Sequence, residues 1–292
     1  MFRHEYAEVN GVRLHYVTAG KGRLILFVHG FPEFWYEWKN QLREFGKDHQ
    51  AVSLDMRGYN LSSKPAEVEK YRMKYLVEDL RALAEHLGHK KFILVGHDWG
   101  GAVCWAFPYY YPGNLEKLII INAPHPVVFA RELQQNPAQQ KASQYMLMFR
   151  SARAESVLSA NNFEELNRRV LNWGHKKTMV TDEDRKAYWE AWSQPGALTG
   201  GLNYYRAAKA GPPAPGGGTE TRESPRDLYA KPIRVPTLVI WGEKDTALLT
   251  GNLIGLESCV ADLTIKRIPE GSHWVVHEEP ELINAFIREF LQ

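Results

Sequence analysis

Gly96-His97-Asp98-Trp99-Gly100-Gly101 decides the fold of this chain. It follows the apolar run Phe92-Ile93-Leu94-Val95 and precedes the small-residue helix start Ala102-Val103-Cys104. A strand, a glycine-flanked turn and a helix in that order form a nucleophile elbow, Gly-x-nucleophile-x-Gly, with Asp98 at its apex. The turn is sharp enough that side chains at 96 and 100 would collide with the neighbouring strand and helix, which is why glycine stands there. The apex residue projects at the C-terminal edge of a sheet, beside a helix N-terminus that favours negative charge. A carboxylate held there stays ionised and open to a reactant. It can attack an alkyl carbon and form an ester, which water must then cleave.

Outward from the elbow, short β-rich runs alternate with helical patterns. Strands are predicted at Tyr6–Val9, Arg13–Val17, Leu24–Val28, Ala51–Leu54, Phe92–Val95, Leu118–Asn122, Thr237–Trp241 and Thr264–Arg267. From Leu24 onward the runs are apolar on both faces, as buried parallel strands are. The first two read as an antiparallel hairpin turning at Asn10-Gly11. Helices are predicted at Trp35–Phe45, Tyr75–Leu87 (with Gly88 as C-cap), Gly101–Tyr111 and Glu279–Leu291. The alternation implies a doubly wound α/β sheet with its active site at the C-terminal ends of the strands.

The pattern stops after Asn122-Ala123-Pro124-His125-Pro126 and resumes at Ile233–Trp241. Between them the sequence is helical and aromatic, most clearly at Glu164–Leu171 and Asp182–Trp192. This reads as a helical lid inserted into one core, giving expected units of residues 1–127, 128–230 and 231–292. Gly211–Gly218, rich in Pro and Gly, reads as a surface connection within the lid.

The 292 residues suffice for such a domain. Lys and Arg number 36 against 34 Asp and Glu, a balance that gives no argument for nucleic acid or an anionic membrane as partner. No apolar run approaches the ~20 residues that span a bilayer. Met1-Phe2-Arg3-His4-Glu5 shows no signal-peptide h-region, and Cys104 and Cys259 show no disulfide pattern. A soluble cytoplasmic protein is the expectation. Cys104 reads as a small buried apolar residue.

A nucleophile needs a base and an acid that orients it. After the elbow, an acid following a later strand and a His near the C-terminus complete that order. Asp245 in Trp241-Gly242-Glu243-Lys244-Asp245 and His273 in Gly271-Ser272-His273-Trp274 occupy those places; Glu243 is the competing acid, closer to the strand end. Cleaving an ester also requires donors for the developing oxyanion. The backbone N–H groups of Phe31, in His29-Gly30-Phe31-Pro32, and of Trp99 are suitably placed to supply them, with both side chains bordering the substrate. His29 and His97 read as holders of backbone, and Asp55 and Arg57 as loop-holders.

Taken together, His29-Gly30-Phe31-Pro32-Glu33, Asp55-Met56-Arg57-Gly58-Tyr59, the elbow, Asp245 and Gly271-Ser272-His273-Trp274 resemble a soluble epoxide hydrolase of the α/β-hydrolase fold over nearly the whole chain. The resemblance implies a mostly parallel eight-stranded sheet flanked by helices, with a helical cap. It implies conversion of epoxides to vicinal diols with water and no cofactor or metal, and a cis peptide bond before Pro32. It also implies two cap tyrosines that hold the epoxide oxygen. Ser143-Gln144-Tyr145-Met146 and Leu202-Asn203-Tyr204-Tyr205-Arg206 resemble the two family segments, which assigns that role to Tyr145 and Tyr205, with Tyr204 as the competitor. A phenol, of pKa about 10, keeps its proton until the ring opens. The sequence departs from the family at Asn60, where Gly is more usual after Tyr; Asn tolerates the positive φ of such a turn.

Two alternatives stand beside this one. A dehalogenase on the same fold would share Asp98-Trp99, but such enzymes usually add a halide-holding Asn or Trp, and Phe31 stands where that Asn would be. Fluoroacetate dehalogenases usually carry Arg directly after the nucleophile, where this chain has Trp99. A non-catalytic ligand receptor would need the pocket without the full set of reactive groups.

Overall fold

The computed structural model describes residues 2–171, 180–213 and 228–292. Strands β1 (Arg3–Val9), β2 (Val12–Ala19), β3 (Leu24–Val28), β4 (Gln50–Leu54), β5 (Phe92–His97), β6 (Leu115–Ile121), β7 (Thr237–Gly242) and β8 (Leu263–Ile268) form one eight-stranded sheet in the order β1-β2-β4-β3-β5-β6-β7-β8. β1 and β2 pair antiparallel, as do β2 and β4, and every later pairing is parallel.

The period-two side-chain alternation of the central strands sorts them into two cores. Leu24, Leu26, Val28, Leu94, Leu118, Ile120 and Val239 join one; Ile25, Phe27, Ile93, Val95, Ile119, Ile121, Leu238 and Ile240 join the other. On the second face lie α1 (Lys39–Phe45), through Leu42 and Phe45, and the C-terminal α11 (Pro280–Leu291), through Ile283 and Ile287. The first face is covered by α2 (Met73–His86) and α3 (Asp98–Tyr110). That same core continues into the helices between β6 and β7, namely α4 (Pro126–Gln135), α6 (Tyr145–Arg150), α7 (Ala154–Leu166), α8 (Asp182–Trp192) and α9 (Ala197–Ala207), whereas α5 (Pro137–Ala142) is anchored by its buried Gln139, which donates to the Ala247 carbonyl at 2.8 Å. A short α10 (Val275–Glu278) precedes α11.

Several boundaries differ from the sequence expectation. Trp35–Phe45 is a 3-10 turn over Trp35–Trp38 followed by α1. α3 starts at Asp98 rather than Gly101, because the chain passes from strand to helix within the elbow itself. β6 ends at Ile121, since Asn122 has a φ of 38° and cannot extend the strand. The helix expected at Glu164–Leu171 is the end of α7 and a π-helical turn over Asn167–Leu171, and α7 itself is broken by left-handed backbone at Asn161–Phe163. Within Gly211–Gly218, residues 214–218 lie outside the described residues.

The loop after β4 is built on buried charge. Arg57 donates to both oxygens of Asp79 at 2.5 Å and to the carbonyl of Lys70 at 2.8 Å. Asp55 accepts from the Trp35 amide and from Asn60, and pairs with His15 at 2.6 Å. Asn60 has a φ of 38°, so the turn keeps its left-handed residue without glycine.

Helix α8 is tied to one core segment. Trp192 donates to the carbonyl of Pro32 at 2.7 Å, Tyr188 donates to Glu33 at 2.6 Å, and Asp184 accepts from Tyr36 at 2.9 Å and pairs with Lys39.

Candidate active site

The elbow forms because its neighbours leave no room for side chains. A Cβ on Gly96 would lie 2.5 Å from the Cys104 sulfur, and one on Gly100 would lie 2.1 Å from the Val28 carbonyl oxygen. Asp98 sits between them with a φ of 50°, a left-handed backbone that a non-glycine residue adopts at a cost of about 1–3 kcal/mol. Such a residue is held in place by its surroundings, here the β5–α3 junction.

Parallel strands deliver the remaining groups to the same sheet edge. Asp98 Oδ1 accepts the Phe31 N–H at 2.8 Å, from the loop after β3. Asp98 Oδ2 lies 3.6 Å from His273 Nε2, from the loop after β8. His273 Nδ1 meets Asp245 Oδ2 at 2.7 Å, from the loop after β7. Asp245 is fixed in turn: Oδ1 accepts the Ala247 and Leu248 N–H groups at 2.8 Å each, and Oδ2 accepts from Asn122 at 2.9 Å. Asn122 also binds both backbone groups of Gly242 at the end of β7. Trp99 is the second residue of α3, so its N–H is one of the four at a helix start with no intrahelical acceptor. The Phe31–Pro32 peptide is cis, as expected.

The electrostatics follow from this line of groups. Burial pushes the Asp98 carboxyl up, but His273, His97 and the Phe31 N–H outweigh it and leave it below the usual carboxylate range. Burial pushes the His273 imidazole down, but Asp245 and Asp98 outweigh it and leave it well above the usual histidine range. In the resting state Asp98 and His273 thus favour each other's charged forms.

Two phenols face this carboxylate from the helical segment. Tyr145, at the start of α6, and Tyr205, on α9, have ring centroids 6.4 Å apart. Burial, and then the negative charge of Asp98, lift both phenols well above the usual tyrosine value, so both hold their protons. Tyr204 touches Trp99 with its ring, 5.7 Å between centroids, but turns its hydroxyl elsewhere. Its hydroxyl donates to the Arg57 carbonyl at 2.9 Å, and its ring packs against Tyr59 and Tyr71.

The sequence matches the α/β hydrolase fold family over residues 23–280. Epoxide hydrolase 4 of Mus musculus is 38% identical over 301 residues, covering 99% of this chain and 79% of the relative. Epoxide hydrolase 1 of Caenorhabditis elegans is 37% identical, covering 98% of this chain and 69% of the relative. The crystal structure of a Bacillus megaterium epoxide hydrolase in complex with an inhibitor superposes with a TM-score of 0.89 at 40% identity, covering 98% of this chain and 99% of that one. The chain belongs to the epoxide hydrolases of the α/β-hydrolase family.

In this hydrolase three contributors escaped the sequence reading. Asn122 carries no motif beyond standing at a strand end. Phe149 lies one helical turn after Tyr145 and packs its ring 5.2 Å from Tyr145, 5.0 Å from Tyr205 and 5.1 Å from Phe31. The spacing of four from Tyr145 was its only signal. Glu37 is the third. Other side chains named in the sequence have definite partners. His29 accepts the Met56 N–H at Nε2, so its Nδ1 carries the proton and donates to the Gly30 carbonyl at 2.8 Å. His97 Nε2 meets the His273 carbonyl at 2.8 Å. Both hold backbone. Glu243 pairs with Arg267 rather than with His273. Cys104 is buried with its thiol pushed well above the usual value by burial. Among the described residues no group of three or more His, Cys, Asp or Glu could hold a metal ion, and no helix is long and apolar enough to cross a membrane.

Gly30 gives a sharp test of this packing. A Cβ there would lie 2.4 Å from the Asp98 Cβ and 2.5 Å from Oδ1. Gly30→Ala is expected to displace the carboxylate and cut kcat/KM by roughly a hundredfold, since a misplacement of about 1 Å has effects of that order. Wild-type kinetics in a folded Gly30→Ala protein would contradict the geometry.

Proposed function

We propose that the chain hydrolyses epoxides to vicinal diols through a covalent alkyl ester on Asp98. The observation that carries this is one juxtaposition: a carboxylate backed by a His–Asp pair, with two buried phenols near enough for its charge to lift them. Tyr145 and Tyr205 hydrogen-bond the epoxide oxygen, and Asp98 attacks a ring carbon from the opposite side. The C–O bond of the ring breaks, and a phenol delivers its proton to the alkoxide. Oδ1 already accepts from Phe31, so Oδ2 is the oxygen free to attack.

The ester changes the charge balance. Once alkylated, Asp98 no longer carries the negative charge that helps lift His273, so the imidazole more readily gives up its proton. That proton replaces the one the tyrosine delivered. His273, oriented by Asp245, then takes a proton from water as that water attacks the ester carbonyl. Oδ1 becomes the oxyanion, with the Phe31 N–H in place and the Trp99 N–H as second donor. Collapse of this intermediate breaks the bond between the Asp98 carbonyl carbon and Oδ2, as the His273 imidazolium gives its proton to the departing Oδ2 and then takes up the proton of the new carboxyl group. The diol departs with the old Oδ2, and Asp98 keeps the oxygen of water.

On this reading residues 128–230 are a cap carrying both tyrosines, over a core of residues 1–127 and 231–292. Phe31 and Trp99 form substrate walls as well as backbone donors, since the Tyr205 ring packs 5.5 Å from Phe31 and 5.0 Å from Trp99. The named activities of the relatives support an epoxide over a haloalkane as substrate.

The test is a panel of epoxides scored for diol, with halide release from haloalkanes measured alongside. Diol formation without halide release is expected; halide release without diol would overturn the assignment. Replacing either Tyr145 or Tyr205 by Phe removes one oxygen-holding group and should lower kcat/KM by roughly 10²-fold, the scale of one general acid or one oxyanion donor. Tyr204→Phe should leave the chemical step unchanged, and a loss equal to that of Tyr205→Phe would reverse the choice between these neighbours.

A further inference from the structure

Beneath the catalytic line lies a second acid–imidazole contact that the chemistry above does not use. His97 is fully buried, and its Nε2 meets the main-chain carbonyl of His273 at 2.8 Å. A carbonyl oxygen only accepts, so Nε2 carries a proton. The other ring nitrogen, Nδ1, lies 2.5 Å from Oε1 of Glu37. Glu37 itself is 1% exposed, and among the described residues neither of its oxygens has a donor in line for a hydrogen bond.

This is an unusual place for a carboxylate. Glu33, four residues earlier and equally buried, is satisfied by the Tyr188 hydroxyl at 2.6 Å and by His277 at 3.1 Å. Among the described residues, the Glu37 side chain has only its close approach to His97. A buried carboxylate without aligned donors costs stability. The loop it reaches is the one that matters for turnover. His273 must stay 3.6 Å from Asp98, and His97 is the residue immediately before Asp98 in the chain. The link from Glu37 through His97 to the His273 carbonyl therefore ties the loop of the base to the strand of the nucleophile.

We propose that Glu37 is a positioning residue for the hydrolytic step: it fixes the His97 ring, which fixes the main chain of His273 relative to the ester carbonyl. The proposal rests on the ester chemistry above. Alkylation needs Asp98 and the two tyrosines but no basic imidazole, so it is insensitive to Glu37. Hydrolysis needs His273 aimed at a water and is sensitive to it.

The experiment follows the two steps separately in Glu37→Gln and Glu37→Leu. Enzyme is mixed with excess styrene oxide, quenched at intervals, and the alkyl adduct on the Asp98 peptide is measured by mass spectrometry; thermal midpoints are recorded in parallel. Adduct formation is expected within about twofold of wild type, and its decay roughly tenfold to a hundredfold slower, the range for a catalytic group misplaced by up to about an ångström. Glu37→Leu also leaves the buried His97 Nδ1 without its neighbour, so its thermal midpoint is expected to fall below that of Glu37→Gln, while adduct formation stays near wild type and decay is equally slow. A role confined to stability would instead lower the midpoint and depress both steps together, and that result overturns the proposal. Decay at the wild-type rate in both variants also overturns it. If neither variant folds, Glu37 belongs to the fold and the proposal fails. His273→Gln, run alongside, separates the two levels: no adduct there sinks the ester chemistry, whereas an adduct there with normal decay in the Glu37 variants sinks only the role of Glu37.

Discussion

Asp98→Ala is expected to abolish diol formation, with kcat/KM falling by roughly 10⁴-fold or more, as befits removal of a covalent nucleophile. The carboxylate is the group on which the rest converges. Phe31 donates to one of its oxygens, His273 faces the other, and two phenols stand opposite. On the proposed mechanism the tyrosines still hold an epoxide when Asp98 is alanine, so affinity should survive better than turnover. The fold should survive too. Alanine removes a buried charge, and Asp98 is not part of the loop network that Asp55 and Arg57 support. Its oxygen can be followed directly. In a single turnover in ¹⁸O-water, the label should enter the Asp98 carboxyl and be absent from the first diol released. A first diol carrying the label from water, with Asp98 unlabelled, would mean that water opens the ring directly and that no ester forms.

His273→Gln should separate the two half-reactions. Ring opening needs an ionised Asp98, and Asp98 keeps the Phe31 N–H and the nearby His97 when His273 is lost. The first step should therefore slow by no more than roughly tenfold. The second step loses its base and should slow by about 10³-fold or more. The outcome is a near-stoichiometric adduct, one substrate mass on the Asp98 peptide, and no steady-state diol. Asp245→Asn should resemble it in kind, because the amide can no longer accept the Nδ1 proton with full charge and the ring loses its preferred tautomer. In wild-type enzyme, ring opening should persist well into the acid range, since Asp98 lies below the usual carboxylate range and stays ionised there. Hydrolysis needs neutral His273 and should be the step that fails first as the pH falls. An acid limb set instead by ring opening, with no adduct accumulating at low pH, would contradict this division.

Much of the site was legible because its signals are local. The elbow is a run of six residues whose two flanking glycines answer to contacts of 2.1–2.5 Å, and a turn that tight admits few other sequences. His273 and Asp245 follow from chain order once the elbow is fixed. The central strands were legible because burial on both faces demands unbroken apolar runs, as in Leu24–Val28. What the residues along the chain left open was of another kind. Tyr204 and Tyr205 are adjacent on α9, so their side chains point about 100° apart, and only the packed helix decides which one faces Asp98. Asn122, Phe149 and Glu37 act through partners brought near by the fold: Asp245 is 123 positions away from Asn122, and no pattern along the chain links them. The 3-10 turn at Trp35–Trp38 went unseen because its composition is equally that of an α-helix.

The tether between α8 and the segment from Pro32 to Lys39 has a consequence for selectivity. Trp192 grips the carbonyl of Pro32, the residue directly after the Phe31 amide that serves Asp98. On the proposed function, a guest too bulky for the space between residues 128–230 and the core would push α8 outward, and α8 would pull on the peptide next to the Phe31 N–H that is proposed to hold the oxyanion. Oversized guests would then be admitted and alkylated yet released slowly, so that discrimination by size is enforced after capture, at the stage of deacylation, rather than at the door.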